Sequence, residues 1–573
     1  VATVLANRGI SARKEAVRYL NPVMTYCYNT RNIKDAEKAA KIIAKAISKK
    51  VKIAIYGDYD ADGVMSITIL YKTLKNAGAD VFYYVPKREE EGYGLNRQAV
   101  EHFAAEGVKL IITCDNGIAA FPEIERAKEL SMAVIVIDHH EPAFIEEGGV
   151  RVPKTPDANA IIDPKQTDCR YPFKNLCAAG LSYKFVKYFC TEYHISFDDD
   201  EFLVLAAIAT ICDIVDLVDE NRIIAKNGLK RLNEGICKNL GLRKLIELRK
   251  LKYGDIDECI VGFIIGPCIN AAGRLAHAEI AVNLFTTDDE LRAESLAAEI
   301  IALNESRKEM SERAFELACT EAEKFSDDKV LVLFIPEIHE SIIGVVAGKL
   351  KEKYSKPTIM ITKSGDTAKG SARSIEAYNI FEEMYAHNDL YLRFGGHAMA
   401  AGFSILEENI PVLRQRINAT CRLTENELTK KLYADMIIPL NDVTFELTQE
   451  LELCEPFGRK NEEPTFISEG VYTEQISILG TNRKTLKFIF LTDSRRKIKA
   501  VAFNRFDDFL ALLKSSYSEK VIESFVNGII KKLTVKLDIA YHTEINEYNG
   551  ISSVQLKIID FKLSAEEEEC END

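Results

Sequence analysis

The sequence predicts a multidomain α/β protein in which a parallel-sheet domain and a smaller α/β domain are joined by a long helix and followed by a small C-terminal β-barrel. Apolar runs alternate with helical patterns from 51 to 138, which is typical of parallel strands with crossover helices. A helical pattern without Gly or Pro runs from 288 to 325, and at about 1.5 Å per residue it would exceed about 50 Å. Short alternating strands follow Met436. At 573 residues, the chain is also several times longer than a typical domain of about 150 residues.

The first region supplies four strand candidates. They are KIAIY (52–56), DVFYYV (80–85), LIITC (110–114) and AVIVI (133–137). Amphipathic stretches at 64–76 and 119–130 lie between them and predict crossover helices. Residues 178–250 are predicted to be mainly helical, with Asp213 near the end of one apolar helix.

The second α/β region begins with VLVLF (330–334), continues with PTIMIT (357–362) and ends near residue 425. The barrel strands include KFIFL (487–491), KAVAF (499–503) and TVKLDIAY (534–541). We therefore expect an N-terminal helical segment at 1–50, a parallel-sheet domain at 51–225, a helical region with the connecting helix at 226–325, a smaller α/β domain at 326–430, a barrel at 431–565 and an acidic tail at 566–573.

Composition narrows the possible classes of function. The net charge of -14 argues against a protein whose whole surface binds nucleic acid, although a local basic groove is compatible with it. No apolar run approaches the roughly 18 to 20 residues that cross a bilayer, and no secretory pattern is present, so we expect a cytoplasmic protein with no membrane contact. The 13 cysteines include no C-x-x-C pair and are expected to be reduced core thiols. The sequence begins at Val1 in a helical pattern, and we treat this start as a trimmed edge.

Polar clusters follow three of the predicted strands. They comprise Asp58, Asp60 and Asp62 after the first strand, Asp115 and Asn116 after the third, and Asp138, His139 and His140 after the fourth. Each cluster alone also fits a capped turn, because Asp and Asn commonly cap helices. The carboxyl ends of parallel strands meet at one edge of a sheet, so the three clusters should converge there.

So many carboxylates in one place would repel one another strongly without cations between them. Carboxylates with one or two imidazoles and no cysteine suit Mn²⁺ or Mg²⁺ better than structural zinc. Two such ions about 4 Å apart can activate water and stabilise charge on a phosphoryl oxygen. The sequence therefore predicts a site for two Mn²⁺ or Mg²⁺ ions.

The motifs DYDADG, CDNG and DHH, in this order, resemble the first three motifs of the DHH phosphoesterases. Asp213 in AAIATICDIVDL resembles the fourth motif of that superfamily, although on its own it also fits a helix cap. Four further segments resemble those of the RecJ family, which are single-strand-specific exonucleases of bacteria. They are PKREEEGYGL (86–95), GPCINAAGRL (266–275), KGSARS (369–374) and GGHAMAAG (395–402). The resemblance covers roughly residues 5–562.

The resemblance implies a DHH catalytic domain, a DHH-associated substrate-binding domain and an OB-like barrel. It implies that Asp58, Asp60, Asp62, Asp115, His139 and Asp213 ligate two metal ions, and that Asp115 and His140 act in catalysis. It assigns substrate binding to Arg274, Ser371, Arg373, Gly395, Gly396 and His397.

Physical arguments support part of this assignment. Gly395 and Gly396, placed before a predicted helix of small residues, would let the backbone approach a phosphate, although a tight packing turn explains them equally well. Arg274 and Arg373 offer planar forks suited to phosphate oxygens, or else form surface ion pairs. His397 either contacts phosphate or is a core histidine bonded to backbone.

A basic cluster lies in the predicted barrel. Residues 482–505 contain eight basic side chains and one acidic side chain, Asp493. We expect a nucleic-acid groove that includes Arg483, Lys484, Lys487, Arg495, Arg496 and Lys497. Phe488, Phe490 and Phe503 alternate with these residues and either fill the core or stack on bases, since strand alternation allows either face.

The sequence departs from the family pattern at two positions. Ser341 stands where many relatives have Gly, and Lys460 interrupts a segment that is commonly PFG-x-GN. The first bears on the backbone near His339 and the second on the turn that leads into the barrel.

The resemblance implies a metal-dependent exonuclease that hydrolyses single-stranded DNA from 5′ to 3′ and releases 5′ mononucleotides, in DNA repair and recombination. Single-stranded DNA is the expected partner, with a helicase and a single-strand-binding protein as further partners, and the protein is expected to be a monomer. One alternative is a DHH phosphodiesterase acting on short RNA oligonucleotides. The other is a non-catalytic replication scaffold, and the presence of every expected acid argues against it.

Overall fold

The computed structural model describes residues 1–88, 91–92, 94–147, 150–530, 532–548 and 550–564. The acidic tail expected at 566–573 lies outside these described residues. The chain divides into two compact units. The larger unit comprises Tyr28–Asp213 and Gly228–Lys431, and the smaller unit comprises Val1–Cys27, Ile214–Asn227 and the residues from Leu432 onward.

The chain begins with three helices and then alternates strands and helices. The helices are α1 (Ala2–Asn7), α2 (Arg13–Leu20) and α3 (Ala36–Ser48). The alternating elements are β1 (Ile53–Gly57), α4 (Ala61–Asn76), β2 (Val81–Tyr84), α5 (Arg97–Ala105), β3 (Leu110–Cys114), α6 (Phe121–Glu129), β4 (Ala133–Ile137), β5 (Ala143–Glu147), β6 (Val150–Lys154) and β7 (Ala160–Ile162). Each of the four strands predicted in this region forms.

Five of these strands form one parallel sheet in the order β2-β1-β3-β4-β7. β1 and β3 are buried along their whole length, as expected for central strands covered by helices on both faces. β5 and β6 pair only with each other, as a separate antiparallel hairpin. The carboxyl ends of β1, β3, β4 and β7 therefore lie side by side at one edge of the sheet.

A helical region follows the sheet. It contains α7 (Ala178–Tyr193), α8 (Asp199–Cys212), α9 (Asp219–Asn233), α10 (Leu240–Leu248), α11 (Glu258–Ile260), α12 (Gly266–Leu275), α13 (Glu279–Thr286) and α14 (Glu290–Glu323). α14 is the predicted long helix, with 34 residues. Its buried positions are mostly Ala, which lets neighbouring helices approach closely.

One stretch of the expected helical region is more apolar than the sequence analysis predicts. Glu258–Leu275, which joins α11 and α12 through a π-helical turn, is long and apolar enough to cross a membrane by length and composition. Its C-terminal part packs within the larger unit, because α12 contacts α14 and α13 and because Asn270 accepts a hydrogen bond from the Ala61 amide at 2.7 Å.

The second α/β region contains β8 (Leu331–Phe334), α15 (Ile343–Tyr354), β9 (Thr358–Ser364), β10 (Thr367–Arg373), α16 (Ile380–Tyr385), β11 (Tyr391–His397), β12 (Ala400–Ile405), α17 (Ile410–Thr420) and α18 (Glu425–Leu428). Its sheet has the order β11-β12-β10-β9-β8. Only β8 and β9 among its described strand pairs are parallel.

The smaller unit contains the barrel. Its elements are β13 (Met436–Ile437), α19 (Phe445–Leu451), β14 (Phe466–Leu479), β15 (Thr485–Leu491), β16 (Lys497–Ala502), α20 (Phe506–Lys514), α21 (Glu519–Val526), β17 (Lys536–Tyr548) and β18 (Ile551–Leu563). The sheet order β14-β15-β16-β18-β17 closes through pairing of β14 with β17, which gives the predicted OB-like barrel. Among the described cysteines none forms a disulfide. Cys190 and Cys268 are buried core thiols, whereas Cys212 is half-buried and Cys259 is exposed.

Candidate metal centre and phosphate-binding site

The parallel sheet brings the predicted acids together. Asp58 follows β1, Asp115 follows β3 and His139 lies two residues beyond β4, and these three strands are neighbours in the sheet. All three residues are buried. The backbone of Asp115 is left-handed, with φ of 62°, which turns the chain sharply at the end of β3.

The beginning of α4 adds two carboxylates. Asp60 is the N-cap of α4 and accepts hydrogen bonds from the amides of Asp62 at 2.9 Å and Gly63 at 3.1 Å. A Cβ on Gly63 would lie 2.4 Å from the Asp58 carbonyl oxygen, so glycine is required for this close approach of strand end and helix.

Asp62 is fixed by a second helix. Its two carboxylate oxygens accept hydrogen bonds from the amides of Ala178 and Ala179, both at 2.7 Å, at the N-terminus of α7. These bonds use the unpaired amides of a helix end and hold the carboxylate in one orientation.

His139 lies at the centre of the site. Its Nε2 atom is 3.2 Å from Asp115 Oδ1, 3.7 Å from Asp62 Oδ2 and 3.7 Å from Asp213 Oδ2. Asp213 is the C-cap of α8, which agrees with its predicted place at a helix end. The four residues come from four separate segments of the chain.

Three groups of ligand atoms share this space. His139 lies with Asp62 and Asp213 in one group and with Asp115 and His140 in another, and each group has its ligand atoms within 4.8 Å of one another. Asp58, Asp60 and Asp115 form a third group with the same spacing. Asp115 thus belongs both to a group that contains His139 and to the group of three aspartates.

The electrostatics of these groups favour a cation. Burial and the neighbouring carboxylates raise the pKa of Asp58, Asp115 and Asp213 well above the ordinary value, and raise the pKa of Asp62 to about 7. Burial lowers the pKa of His139 to about 3, so its imidazole is neutral, which is the form that binds a metal ion. Among the described residues, no group donates a hydrogen bond to the buried Asp58 Oδ1 atom. These oxygen and nitrogen donors fit Mn²⁺ or Mg²⁺.

Asp138 orients His140 rather than joining the ligand groups. Its carboxylate accepts hydrogen bonds from the amides of Ile118, His139 and His140, and His140 Nδ1 lies 2.7 Å from Asp138 Oδ1. Although burial acts in the other direction, the hydrogen bond and charge of His140 lower the pKa of Asp138 to about 2. The same contact raises the pKa of His140 to about 9 against the effect of burial. Asp138 is therefore a carboxylate that holds His140 Nδ1–H.

Two of the predicted substrate-binding arginines lie close together. Arg274 Nη1 donates to the Ser341 carbonyl oxygen at 2.9 Å, and Arg373 Nη1 donates to Ser371 Oγ at 3.2 Å. A Cβ on Gly344 would lie 2.9 Å from Arg373 Nη2, so glycine makes room for this guanidinium beside α15.

Two further arginines join them. Burial, together with the charges of Arg88, Arg307 and Arg373, lowers the pKa of Arg274 to about 10. Burial and Arg88 also lower the pKa of Arg373. The sequence did not predict a role for Arg88 or Arg307. Arg88 lies within the segment 86–95 that resembles the RecJ family, and Arg307 lies in α14, where no motif marks it. We call Arg88, Arg274, Arg307 and Arg373 the arginine cluster; its mutual repulsion would be relieved by an anion.

The glycine segment is a β-hairpin, so the expectation of a helix after it is wrong. Gly395, Gly396 and His397 lie at the end of β11, which pairs with β12. A Cβ on Gly396 would lie 2.4 Å from the Ala400 carbonyl oxygen, so strand pairing accounts for this glycine. His397 is exposed, and its Nδ1 atom accepts a hydrogen bond from the Met399 amide at 3.3 Å.

The basic residues of the barrel do not form one cluster. Arg483 and Lys484 precede β15, whereas Arg495 and Arg496 follow it, so the two pairs lie at opposite ends of a seven-residue strand, about 20 Å apart. Lys487 lies on the outward face between them.

Three of these residues have structural contacts. Arg483 Nη2 donates to the Val526 carbonyl oxygen. Arg496 Nη2 donates to the carbonyl oxygens of Leu440, Asn441 and Val443, and Lys497 Nζ lies 2.8 Å from Glu474 Oε2. Arg496 therefore stabilises a loop.

Two of the three barrel phenylalanines fill the core, and the third is exposed. Phe488 and Phe490 are fully buried and stack on each other with ring centroids 5.6 Å apart, so they belong to the core. Phe503 is 59% exposed and is available for stacking.

Both departures from the family pattern have a local explanation. Ser341 Oγ lies 2.7 Å from His339 Nδ1, and the Ser341 carbonyl accepts the Arg274 hydrogen bond. Lys460 has a φ of 63°, the left-handed conformation that a glycine adopts without cost, within a turn closed by Gly458 and Asn461.

Comparison with known families matches three parts of the chain. The DHH family N-terminal domain matches residues 52–210, the DHHA1 domain matches 327–423 and the RecJ OB domain matches 434–560.

Individual relatives match nearly the whole chain. A single-stranded-DNA-specific exonuclease RecJ of Bacillus subtilis is 37% identical over 98% of this chain and 68% of its own length. The enzyme of the same name from Dickeya dadantii is 30% identical over 96% of this chain and 94% of its own length. The crystal structure of RecJ from Thermus thermophilus in complex with Mn²⁺ is similar with a TM-score of 0.80 and 26% identity, covering 98% of this chain and 76% of that one. On the strength of these matches and the converged carboxylates, this chain belongs to the RecJ family.

Proposed function

We propose that this chain is a metal-dependent exonuclease that hydrolyses single-stranded DNA from the 5′ end and releases 5′ mononucleotides, in DNA repair and recombination. The observation that carries the proposal is the convergence on His139 of Asp62, Asp115 and Asp213 within 3.2 to 3.7 Å. Relatives named single-stranded-DNA-specific exonuclease and a relative crystallised with Mn²⁺ support it.

The ligand groups support two metal positions. Asp62, His139 and Asp213 would hold one ion, Asp58 and Asp60 the other, and Asp115 would contribute to both. The raised pKa values of the carboxyls and the unpaired Asp58 Oδ1 atom fit this arrangement. When bound, two divalent ions lower the pKa of water and stabilise charge on phosphoryl oxygens.

We propose that His140 contacts the scissile phosphate. Because Asp138 holds its Nδ1–H, the remaining ring nitrogen, Nε2, is the one that can donate to a phosphate oxygen. In-line attack by water on phosphorus breaks the bond to the 3′ oxygen of the first nucleotide. His140 then stabilises the charge that develops on the phosphoryl oxygens.

We propose that the arginine cluster binds the 5′-terminal phosphate. Four guanidinium groups in mutual repulsion offer bidentate hydrogen bonds to an anion. Ser371 shares the Arg373 side of this site, and His397 and Gly395 of the neighbouring hairpin would bound it. Anchoring the terminal phosphate beside the metal centre would select the first phosphodiester bond and set the 5′ to 3′ direction.

We propose that the barrel holds the single strand through basic side chains on the outward face of β15 and in the turns at its two ends. They are chiefly Arg483, Lys484, Lys487 and Arg495. We further propose that the protein acts as a cytoplasmic monomer with a helicase and a single-strand-binding protein as partners. The six segments expected from the sequence remain the proposed domain boundaries.

A substrate panel tests the proposal. The purified chain with Mn²⁺ is incubated with 5′-labelled and 3′-labelled DNA strands, blunt duplex of the same sequence, and RNA of two to five nucleotides. We expect mononucleotides from the 5′ end of the single strand and slow or undetectable reaction of the duplex. Faster hydrolysis of the short RNA than of the DNA strand would replace the proposal with the RNA phosphodiesterase. No hydrolysis together with no Mn²⁺ binding in calorimetry would favour a scaffold.

A further inference from the structure

The turn after β7 belongs to the same edge of the sheet as the metal centre, yet none of its residues has a role so far. β7 lies next to β4, and the Asp138 amide donates to the Ile162 carbonyl at 3.1 Å, so the two strands end side by side. Asp163 and Lys165 therefore emerge beside the DHH segment.

This turn is rigid and mostly buried. Asp163 is fully buried, and its Oδ1 atom accepts a hydrogen bond from the Lys165 amide at 2.7 Å. Gln166 is also buried and donates through Nε2 to the carbonyl oxygens of Ile161 at 2.9 Å and Asp163 at 3.1 Å. These bonds fix the backbone from which the Lys165 side chain extends.

The Lys165 side chain is held near the metal centre by a weak partner. Its Nζ atom is 3.2 Å from Glu141 Oε1, and the Lys165 side chain is 20% exposed whereas that of Glu141 is 80% exposed. An ion pair with so exposed a carboxylate contributes little stability, so a phosphate can replace Glu141. Glu141 lies two residues beyond His139, and β7 pairs with β4, so the Lys165 side chain lies on the His139 side of the candidate metal centre.

Lys165 is separate from the arginine cluster. Arg88 follows β2 and Lys165 follows β7, and β2 and β7 are the two outer strands of the parallel sheet. The carboxylates that follow the central strands therefore lie between Arg88 on one side and Lys165 on the other.

We propose that Lys165 binds the DNA phosphate on the 3′ side of the scissile bond, exchanging Glu141 for a non-bridging phosphate oxygen. This inference rests on the proposed function. If the arginine cluster holds the terminal phosphate and the metal centre holds the first phosphodiester, a cation beyond the metal centre meets the second phosphodiester. Lys165 thus positions the strand as it leaves the site.

The test combines a protein variant with a neutral linkage in the DNA. Release of the first nucleotide is measured in single turnover with a 5′-phosphorylated strand, and with the same strand carrying a methylphosphonate at its second linkage. We expect the neutral linkage to slow the native protein about tenfold, and Lys165→Gln to be slowed about tenfold on ordinary DNA with no further loss on the neutral linkage. Lys109→Gln is the matched control, because this exposed lysine precedes β3 at the opposite edge of the sheet.

Two further measurements distinguish loss of a contact between Lys165 and phosphate from damage to the fold. Lys165→Gln should lower the slope of log affinity against log salt by about 1 at unchanged Mn²⁺ affinity, and Lys165→Arg should retain most of the activity. Equal slowing of the native protein and of Lys165→Gln by the neutral linkage would overturn the inference. If the native protein released no nucleotide from the 5′ end at all, the proposed function itself would fail.

Discussion

His139 Nε2 lies 3.2 Å from Asp115 Oδ1, although the two residues follow different strands of the parallel sheet. The contact joins a neutral imidazole to the carboxylate that occurs in two of the ligand groups. Asp115 is therefore the position at which loss of one oxygen would affect both proposed metal ions.

Asp115→Asn should abolish activity without unfolding the protein. Asn tolerates the left-handed backbone at this position, so the turn is retained, while a bridging carboxylate is lost. We expect a rate loss of at least about 1000-fold on a 5′-phosphorylated oligonucleotide, with a thermal midpoint within a few degrees of the native protein. Asp80→Asn is the control, since Asp80 is exposed and precedes β2 at the other edge of the sheet. A native rate for Asp115→Asn would contradict the proposed centre.

Metal should reverse the pH dependence of stability. The pKa values of Asp58, Asp62, Asp115 and Asp213 are raised above the unfolded value of about 4. Without metal, their contribution to stability is therefore present at low pH and is lost as the pH rises through about 7, the pKa of Asp62. Asp138 and His139 behave oppositely. The contribution of Asp138 is lost only as the pH falls towards about 2. The pKa of His139 is lowered to about 3, so its contribution increases as the pH rises to the unfolded value of about 6.5, but this one imidazole opposes four carboxyls. In chelator, the thermal midpoint should fall from pH 5 to pH 8, and Mn²⁺ should raise it more at pH 8 than at pH 5. An equal Mn²⁺ effect at both values would show that these carboxyls do not exchange protons for the ion.

Arg88→Gln should reduce the preference for a 5′-phosphate. Arg88 acts on both Arg274 and Arg373, so its removal weakens one anion site and leaves the carboxylates intact. We expect kcat/KM to fall about tenfold on 5′-phosphorylated DNA and much less on DNA with a 5′ hydroxyl. Arg97→Gln, at a side chain that is 70% exposed at the beginning of α5, should leave both values unchanged. A uniform loss on both substrates would place Arg88 outside the terminal phosphate site.

Phe490→Ala should destabilise the barrel strongly. Its ring is fully buried and stacks on Phe488, so truncation leaves a cavity that costs about 3–5 kcal/mol. Phe503→Ala, at a 59% exposed ring, should change the free energy of unfolding by less than about 0.5 kcal/mol. Denaturant unfolding of the two variants checks this difference, and similar losses in both would be inconsistent with the packing described.

Substitution of Arg496 should affect stability, whereas substitution of Lys487 should affect DNA binding. Arg496→Ala removes three hydrogen bonds to loop carbonyls and is expected to lower the thermal midpoint. Lys487→Gln, on the outward face of β15, should leave the midpoint unchanged and weaken binding of single-stranded DNA with a salt slope lower by about 1. Binding titrations at several salt concentrations separate the two; an unchanged slope for Lys487→Gln would remove it from the proposed groove.

The convergence of these acidic and histidine side chains was predictable from sequence, because strand ends bring residues together without distant contacts. Asp58, Asp115 and His139 each follow an apolar run, and parallel pairing alone brings them together. Asp213 required the family resemblance, since a carboxylate at a helix end has a local explanation.

The remaining features depend on tertiary pairing. The segment from Gly395 onward consists of small residues compatible with a helix, and only its pairing with β12, and of β12 with β10, makes it a hairpin. Arg88 and Arg307 approach Arg274 across long sequence separations that no local periodicity records. Strand alternation alone likewise does not show whether Phe490 faces the core or solvent. The pairing of β15 with β14 and β16 in the closed barrel determines this.

The exposed position of Phe503 is suited to a fluorescent reporter of DNA binding. The chain contains no tryptophan, so Phe503→Trp would introduce the sole indole into a protein otherwise free of its emission. Excited at a wavelength that the 23 tyrosines do not absorb, that single fluorophore would report occupancy of the barrel directly through quenching or a spectral shift.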